Sequence, residues 1–149
     1  MQLGSKVGIP DQPAHATLEA VPCDGKDLIV RMHTDEFTSV CPVTAQPDFA
    51  SVFLEYVPRR LLIESKSLKL FLGSFRNHPT FAENATALIG ELLQEVLDPA
   101  WIRVTTQWRK RGGIGIDVLW ERGELPQWHQ LASSLGVKKS CIHVRRRGL

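Results

Sequence analysis

The order of hydrophobic periods along the chain predicts a two-layer α+β unit, a four-stranded antiparallel sheet covered by two helices in the order ββααββ. Strand-like runs come in two pairs, and the short connection within each pair favours antiparallel hairpins. Two helical periods sit side by side between the pairs, and their apolar stripes both need a sheet face to cover.

Residues 1–26 are rich in Gly, Pro, Asp and Ala without a sustained period and read as an extended lead-in that needs a surface to lie on. The apolar centre of DLIVRMH (residues 27–33) reads as a first strand. FASVFLEYV (residues 49–57) alternates as a second, closed by the turn at Pro58. Residues 61–63 extend the sheet before the period changes. Over residues 65–77, Leu68, Phe71, Leu72 and Phe75 form one apolar stripe, with Lys66, Lys69, Gly73 and Arg76 on roughly the opposite face.

His78-Pro79 interrupts this helix. Thr80 and Glu83 then have the spacing of a capping box, and Phe81, Ala85, Leu88, Leu92 and Val96 predict the buried side of a second helix ending at Asp98-Pro99. WIRVTTQW (residues 101–108) and IGIDVLW (residues 114–120) are the last strands, joined tightly through Gly112-Gly113. Residues 121–149 lose periodicity. The expected organisation is one domain over residues 1–149 with a core at about 27–120. Four strands leave two edges, which neighbouring copies hide most simply, so a homo-oligomer is expected.

Charge excludes little. With 18 Lys+Arg against 16 Asp+Glu there is no global basic excess to argue for direct nucleic-acid binding. No apolar run approaches a membrane span and the first residues lack a signal-like apolar region, so the expected location is cytoplasmic. Three cysteines, Cys23, Cys41 and Cys141, fit a reducing compartment with at least one free thiol.

Cys41 lies between Pro42 and Val40 in TSVCPVTAQPDF, with Asp48 seven residues on. A thiol braced by proline can be aimed, but a buried inert cysteine fits the same pattern. Lys66, Lys69 and Arg76 on one helix face suit a phosphate or phosphorylated cofactor, or equally a solvated face paired with Glu64. Glu83 serves either as a helix cap or as a bidentate acceptor for a guanidine-like edge. His129, Cys141 and His143 lack the spacing of a tetrahedral metal site, and no metal is expected. Neither a phosphate loop nor a dinucleotide-fold glycine pattern occurs.

FTSVCPVTAQPDFA (residues 37–50), ESKSLKLFLGSFRNH (residues 64–78) and RGGIGID (residues 111–117) together closely resemble the 7-cyano-7-deazaguanine reductases, nitrile reductases of queuosine biosynthesis. The resemblance runs from about residue 28 to residue 120. It implies a tunnelling fold (T-fold) whose units close into stacked ring-like barrels with active sites shared between subunits. It also implies NADPH as hydride source and a deazapurine as substrate.

By the same resemblance Cys41 is the nucleophile that attacks the nitrile carbon and Asp48 the general acid. Glu83 reads the guanine-like edge, and Glu64 and Ser65 contribute to the rim of the base pocket. Lys66, Lys69 and Arg111 are cofactor-side cations, joined on geometry by Arg76. Two departures stand out. Ala82 replaces the family's usual histidine in Phe81-Ala82-Glu83, and Ala45 replaces its usual glycine. Two alternatives stay open: amidine formation with ammonia on the same nitrile, and a non-catalytic deazaguanine-binding oligomer.

Overall fold

A computed structural model describes residues 10–25 and 27–128. After a 3-10 turn at Pro13–His15, the elements are β1 (Ala20–Pro22), β2 (Val30–Val40), β3 (Pro47–Val57), β4 (Leu61–Ile63), α1 (Ser65–Gly73), α2 (Ala82–Leu97), β5 (Trp101–Arg111) and β6 (Ile114–Gly123). The main sheet is antiparallel throughout in the order β2-β3-β5-β6. The ββααββ order and its four-stranded sheet agree with the sequence expectation.

Residues 61–63 do not extend that sheet. They form β4, which pairs with β1 in a separate two-stranded sheet, Ala20 opposite Ile63 and Pro22 opposite Leu61. This gives the lead-in the surface it needs: Ala16, Leu18 and Ala20 pack against the main core. Tyr56 ties the two sheets, its phenol oxygen accepting from the Ile63 amide at 3.1 Å.

The first helix is shorter than its period suggests. It ends at Gly73, and residues 74–77 continue as turns that still bury Phe75 completely. Glu64 caps its start, accepting from the amides of Lys66 (2.8 Å) and Ser67 (2.7 Å). Those two N–H bonds hold the Glu64 carboxyl below the usual carboxylate range.

The second helix corrects two expectations. Its cap is Phe81 rather than Thr80, so no capping box forms: the Thr80 amide donates to Val40 O at 3.0 Å and the Thr80 hydroxyl to Phe81 O at 3.2 Å. Being stitched to β2 keeps Thr80 outside the helix. The buried side is Ala85, Thr86, Ile89, Gly90, Leu93 and Leu97. Leu88, Leu92 and Val96 flank it, partly buried, and Phe81 is 52% exposed. The helix ends where Asp98 adopts a left-handed conformation (φ 41°).

One face of the sheet packs on the helices through Ala50, Val52, Leu54, Tyr56, Ile102, Val104 and Trp108. The other carries an ionic chain across all four strands. Arg31 reaches Glu55 at 2.9 Å, Arg103 lies 3.8 Å from Glu55 and 3.1 Å from Glu121, and the Arg103 guanidinium stacks over Trp101.

Candidate active site

Two β-bulges decide which side chains reach the site. In β2, Thr34 opposes Val52 but Phe37 opposes Ala50, so β2 carries one extra residue between them. Side chains alternate along a strand, so the extra residue moves the helix-facing set from Met32 and Thr34 to Phe37, Ser39 and Cys41. In β5, Trp108 opposes Ile116 and Arg111 opposes Ile114, again with one extra residue. That bulge turns Arg111 onto the face of Trp108, the same face as Asp48 and Ala50.

Cys41 is buried, 6% exposed, at the end of β2. Its amide donates to Gln46 O at 2.8 Å and its carbonyl accepts from Ala45 N at 3.0 Å, which closes a tight loop over residues 41–46. The loop wraps hydrogen-bond donors around the sulfur. The Thr44 hydroxyl contributes most, then the amides of Thr44 and Val43, then Arg111, and together they bring the thiol down from 9.0 to about 6. A shift in that direction favours the thiolate of Cys41 at neutral pH, unlike an inert core cysteine. Thr44 escaped the sequence reading; a hydroxyl three residues beyond a candidate nucleophile was the available signal.

Asp48, the second residue of β3, opposes Ser39 in the register with β2. Its Oδ1 is 3.0 Å from Arg111 Nη1. The neighbouring Cys41 sulfur contributes most to holding the Arg111 guanidinium above its ordinary pKa, with the Asp48 charge adding to it. Cys41, Asp48 and Arg111 thus form one constellation. Ser39 lies fully buried beside it, and its hydroxyl has no hydrogen-bond partner among the described residues.

The start of α2 is brought to this same end of the sheet. Val40 N donates to His78 O at 3.2 Å, and Val40 forms a parallel bridge with Pro79. A buried polar chain then fixes the first turn: Trp108 Nε1 donates to Thr106 Oγ1 (2.8 Å), Thr106 and Thr86 share a hydrogen bond (2.7 Å), and Thr86 donates to Ala82 O (2.7 Å). Glu83 is exposed in that turn and makes no hydrogen bond or ion pair among the described residues.

Glu64, Ser65 and Lys66 lie at the opposite end. Ile63 binds Tyr56, which opposes Val30 at the far end of β2 from Cys41. The chain does not itself bring these three residues to the thiolate. Between the two ends runs a cleft of about 320 Å³ between β2 and α1, with Ser65, Lys69, Gly73 and Arg76 on the helix side and Thr34 and Glu36 on the strand side. The described residues contain no group of three or more His, Cys, Asp or Glu able to hold a metal ion. His129, Cys141 and His143 lie outside them.

With this geometry in place, comparison with known proteins is direct. Residues 47–127 match the family model described as QueF-like protein. NADPH-dependent 7-cyano-7-deazaguanine reductases from Sinorhizobium fredii and Chelativorans are 52% and 53% identical over 128 and 129 residues, each alignment spanning 85% of this chain and 83–84% of the relative. The corresponding enzyme of Ruegeria pomeroyi is 54% identical over 84% of the chain and 83% of its own length. The chain belongs to the QueF family. A crystal structure of the archaeosine synthase QueF-Like in its apo form superposes with a TM-score of 0.61 at 26% identity, covering 66% of this chain and 96% of the other. The ββααββ unit is accordingly the tunnelling fold.

Both departures from the family pattern acquire a physical meaning in a QueF chain. Ala45 has φ 56°, the left-handed region that glycine adopts freely and an L-residue does not. Ala45→Gly is expected to raise stability by roughly 0.5 to 1 kcal/mol, the relief of strain exceeding the added flexibility of the unfolded chain. Chemical denaturation checks this. Ala82 is the first residue of α2, packs against the core and offers its carbonyl to Thr86, so the backbone there stays ordered without an imidazole.

Proposed function

We propose that this chain reduces the nitrile of 7-cyano-7-deazaguanine to the 7-aminomethyl base with NADPH. The observation that carries this is the buried Cys41, at the same end of the β2–β3 pair as Asp48 and with its thiol pKa lowered, in a chain more than 50% identical to reductases of that name.

The Cys41 thiolate adds to the nitrile carbon. A C–S bond forms, one π bond of the nitrile opens toward nitrogen, and Asp48 supplies the proton to that nitrogen, giving a covalent thioimide. NADPH, when bound, supplies one hydride to this species and a second to the imine that follows. In total, one nitrile, two NADPH and two protons give one amine and two NADP⁺. Cys41 leaves as the first reduction collapses. The chain has to keep water from the imine between the two reductions.

Glu83, unengaged in the first turn of α2, suits the two-donor edge of a guanine-like base, and Glu64 and Ser65 belong to the rim of that pocket. Lys66, Lys69 and Arg76 provide cations for the phosphates of NADPH; the cleft between α1 and β2 fits this assignment, since Lys69 and Arg76 line it and make no ion pair among the described residues. Arg111, half-exposed at the end of β5 and paired with Asp48, is a further cation on the cofactor side.

Glu64 and Ser65 stand far from Cys41 within one chain, which favours sites completed by a second copy in a ring-forming homo-oligomer. The free edges at β2 and β6, together with exposed apolar side chains at Phe49 (49%) in β3 and Leu119 (54%) in β6, favour the same assembly. No helix among the described residues is long and apolar enough to cross a membrane. A cytoplasmic enzyme acting on a free base, without direct nucleic-acid contact, fits these features.

Purified protein given the cyano base and NADPH is expected to oxidise two cofactor molecules per amine formed, read by absorbance and mass spectrometry together. No NADPH oxidation between pH 5.5 and 9 would sink the assignment. A second reading, addition of ammonia to the same thioimide, draws support from the likeness to archaeosine synthase. Amidine in place of amine after an ammonia challenge would decide for it. Tight binding of the base without any Cys41 adduct would leave a non-catalytic binding oligomer.

A further inference from the structure

The first turn of α2 lacks the support that a helix start ordinarily has. Phe81 stands at its N-cap and gives no side-chain hydrogen bond to the free amides that follow, and a turn left in this way frays easily. Yet this turn carries the exposed Glu83. What holds it comes from the sheet, through Thr106 and Trp108 of β5.

Counting protons fixes the direction of this chain. Each threonine hydroxyl has one to donate. Thr86 gives its proton to Ala82 O at 2.7 Å, so in the 2.7 Å contact between the two threonines Thr106 is the donor. Thr106 in turn accepts from Trp108 Nε1 at 2.8 Å. Indole N–H, hydroxyl, hydroxyl and carbonyl therefore all point from β5 into the helix, and each bond polarises the next. Both threonines are 0% exposed, so bulk water does not compete for these bonds. The far end is equally fixed, since the Trp108 indole packs edge-on against Phe37 on the strand that leads to Cys41, with ring centroids 5.8 Å apart.

We propose that the Thr86–Thr106 hydroxyl pair sets base selection, by anchoring the first turn of α2 to the sheet so that the Glu83 carboxylate tells a guanine-like edge from one lacking the exocyclic amine. Thr86 and Thr106 are positioning residues that act through Glu83. The proposal deepens the nitrile-reductase reading and rests on it for the identity of the base and for the role of Glu83.

The discrimination depends on rigidity. A carboxylate reads two adjacent N–H donors only when both of its oxygens face them together. A turn free to rock meets one donor at a time and accepts a one-donor edge almost as well.

The test uses the full chain with Thr86→Val and Thr106→Val, which keep the side-chain shape and remove the hydroxyl, and with Thr86→Ser and Thr106→Ser, which keep it. Each is given NADPH and either 7-cyano-7-deazaguanine or the same base without its 2-amino group, and kcat and KM are measured separately. Hydrogen–deuterium exchange over residues 81–86, read by mass spectrometry without base or cofactor, follows the turn itself.

The valine variants are expected to lower the wild-type preference for the 2-amino base on the order of tenfold, through KM for the base, with KM for NADPH unmoved and exchange in the turn accelerated. The serine variants are expected to restore both. In a Glu83→Gln background the preference is already lost, and adding Thr86→Val should change it no further. Wild-type preference in the valine variants, or a further loss in the Glu83→Gln background, would overturn the proposal. If wild-type protein turns over neither base, the nitrile reading fails. Exchange then still decides the anchor: acceleration in Thr86→Val supports it and an unchanged rate overturns it. Thr106→Val strands the indole N–H, and circular dichroism shows whether it folds. Thr86→Val leaves the Trp108–Thr106 bond in place and carries the comparison by itself.

Discussion

Cys41→Ala is expected to reduce turnover by at least about a thousandfold and to remove the covalent adduct entirely. The reason is the order of the chemistry. A nitrile accepts hydride poorly, whereas a thioimide accepts it well, so everything after the first step depends on a C–S bond that alanine cannot form. Cys41→Ser is expected to fail almost as completely, because a hydroxyl in the same cradle stays protonated at neutral pH. The loss should be chemical rather than structural. Removing one buried sulfur costs about 1 kcal/mol, and the loop is closed by backbone bonds from residue 41 that alanine retains.

Intact mass after incubation with the cyano base separates the cases. Wild type gains the mass of the base and Cys41→Ala gains none, while a persisting adduct would move the nucleophile to another residue. The wild-type rate should also decline below about pH 6, in step with the thiolate fraction. The sign follows from the direction of the shift: the thiol is ionised above that value and protonated below it.

Gly90→Val is expected to be among the most damaging substitutions away from the site. Gly90 is a buried residue of α2, and a Cβ there would lie 2.3 Å from Trp120 Cε3 and 2.4 Å from Cδ2. These atoms belong to a rigid indole packed against the core and covered by the Arg122 guanidinium. The ring has to move or the helix has to lift from β6. Overpacking of this kind costs about 3 kcal/mol, or roughly 6 to 12 °C in Tm for a chain of this size.

Gly90→Ala should lose less, since the gain in helix propensity of about 1 kcal/mol offsets part of the clash. Trp120→Ala introduced alongside Gly90→Val should recover stability relative to the sum of the two single losses. A thermal-melt double-mutant cycle measures that coupling. Strict additivity would show that the two residues do not meet.

The sheet, the two helices and their order were legible because paired strand periods and two uninterrupted helical periods are local signals. The face of α2 was not. Ala85, Ile89 and Leu93 form one stripe and Leu88, Leu92 and Val96 another beside it, and a helix apolar around so much of its surface has no unique inward side until its neighbours are placed. The capping box failed for a similar reason: Thr80 has the right spacing, but its backbone is spent on Val40.

The site was legible in its residues and not in its arrangement. Cys41 and Asp48 stand out in the chain as candidates, whereas the pairing of Arg111 with Asp48 depends on a bulge between Trp108 and Arg111 that no composition signals. The bulge in β2 hid itself in the same way. It breaks the alternation of residues 34–37, so the sequence period ends near His33 while the strand itself runs on to Val40.

Those two extra residues make the site sensitive to counting more than to chemistry. Asp35 and Glu36 in the β2 bulge are exposed, and so are Arg109 and Lys110 in β5; none of the four is recorded in a contact with Cys41 or Asp48. Apart from Glu36, which lines the cleft between β2 and α1, their identities are free to drift. Their number is not, since one residue fewer in β2 points Cys41 away from Asp48, and one fewer in β5 turns Arg111 to the face opposite Asp48. Over evolutionary time these two segments should tolerate almost any spelling while forbidding a change of length, with the parity of the chain rather than any side chain under selection.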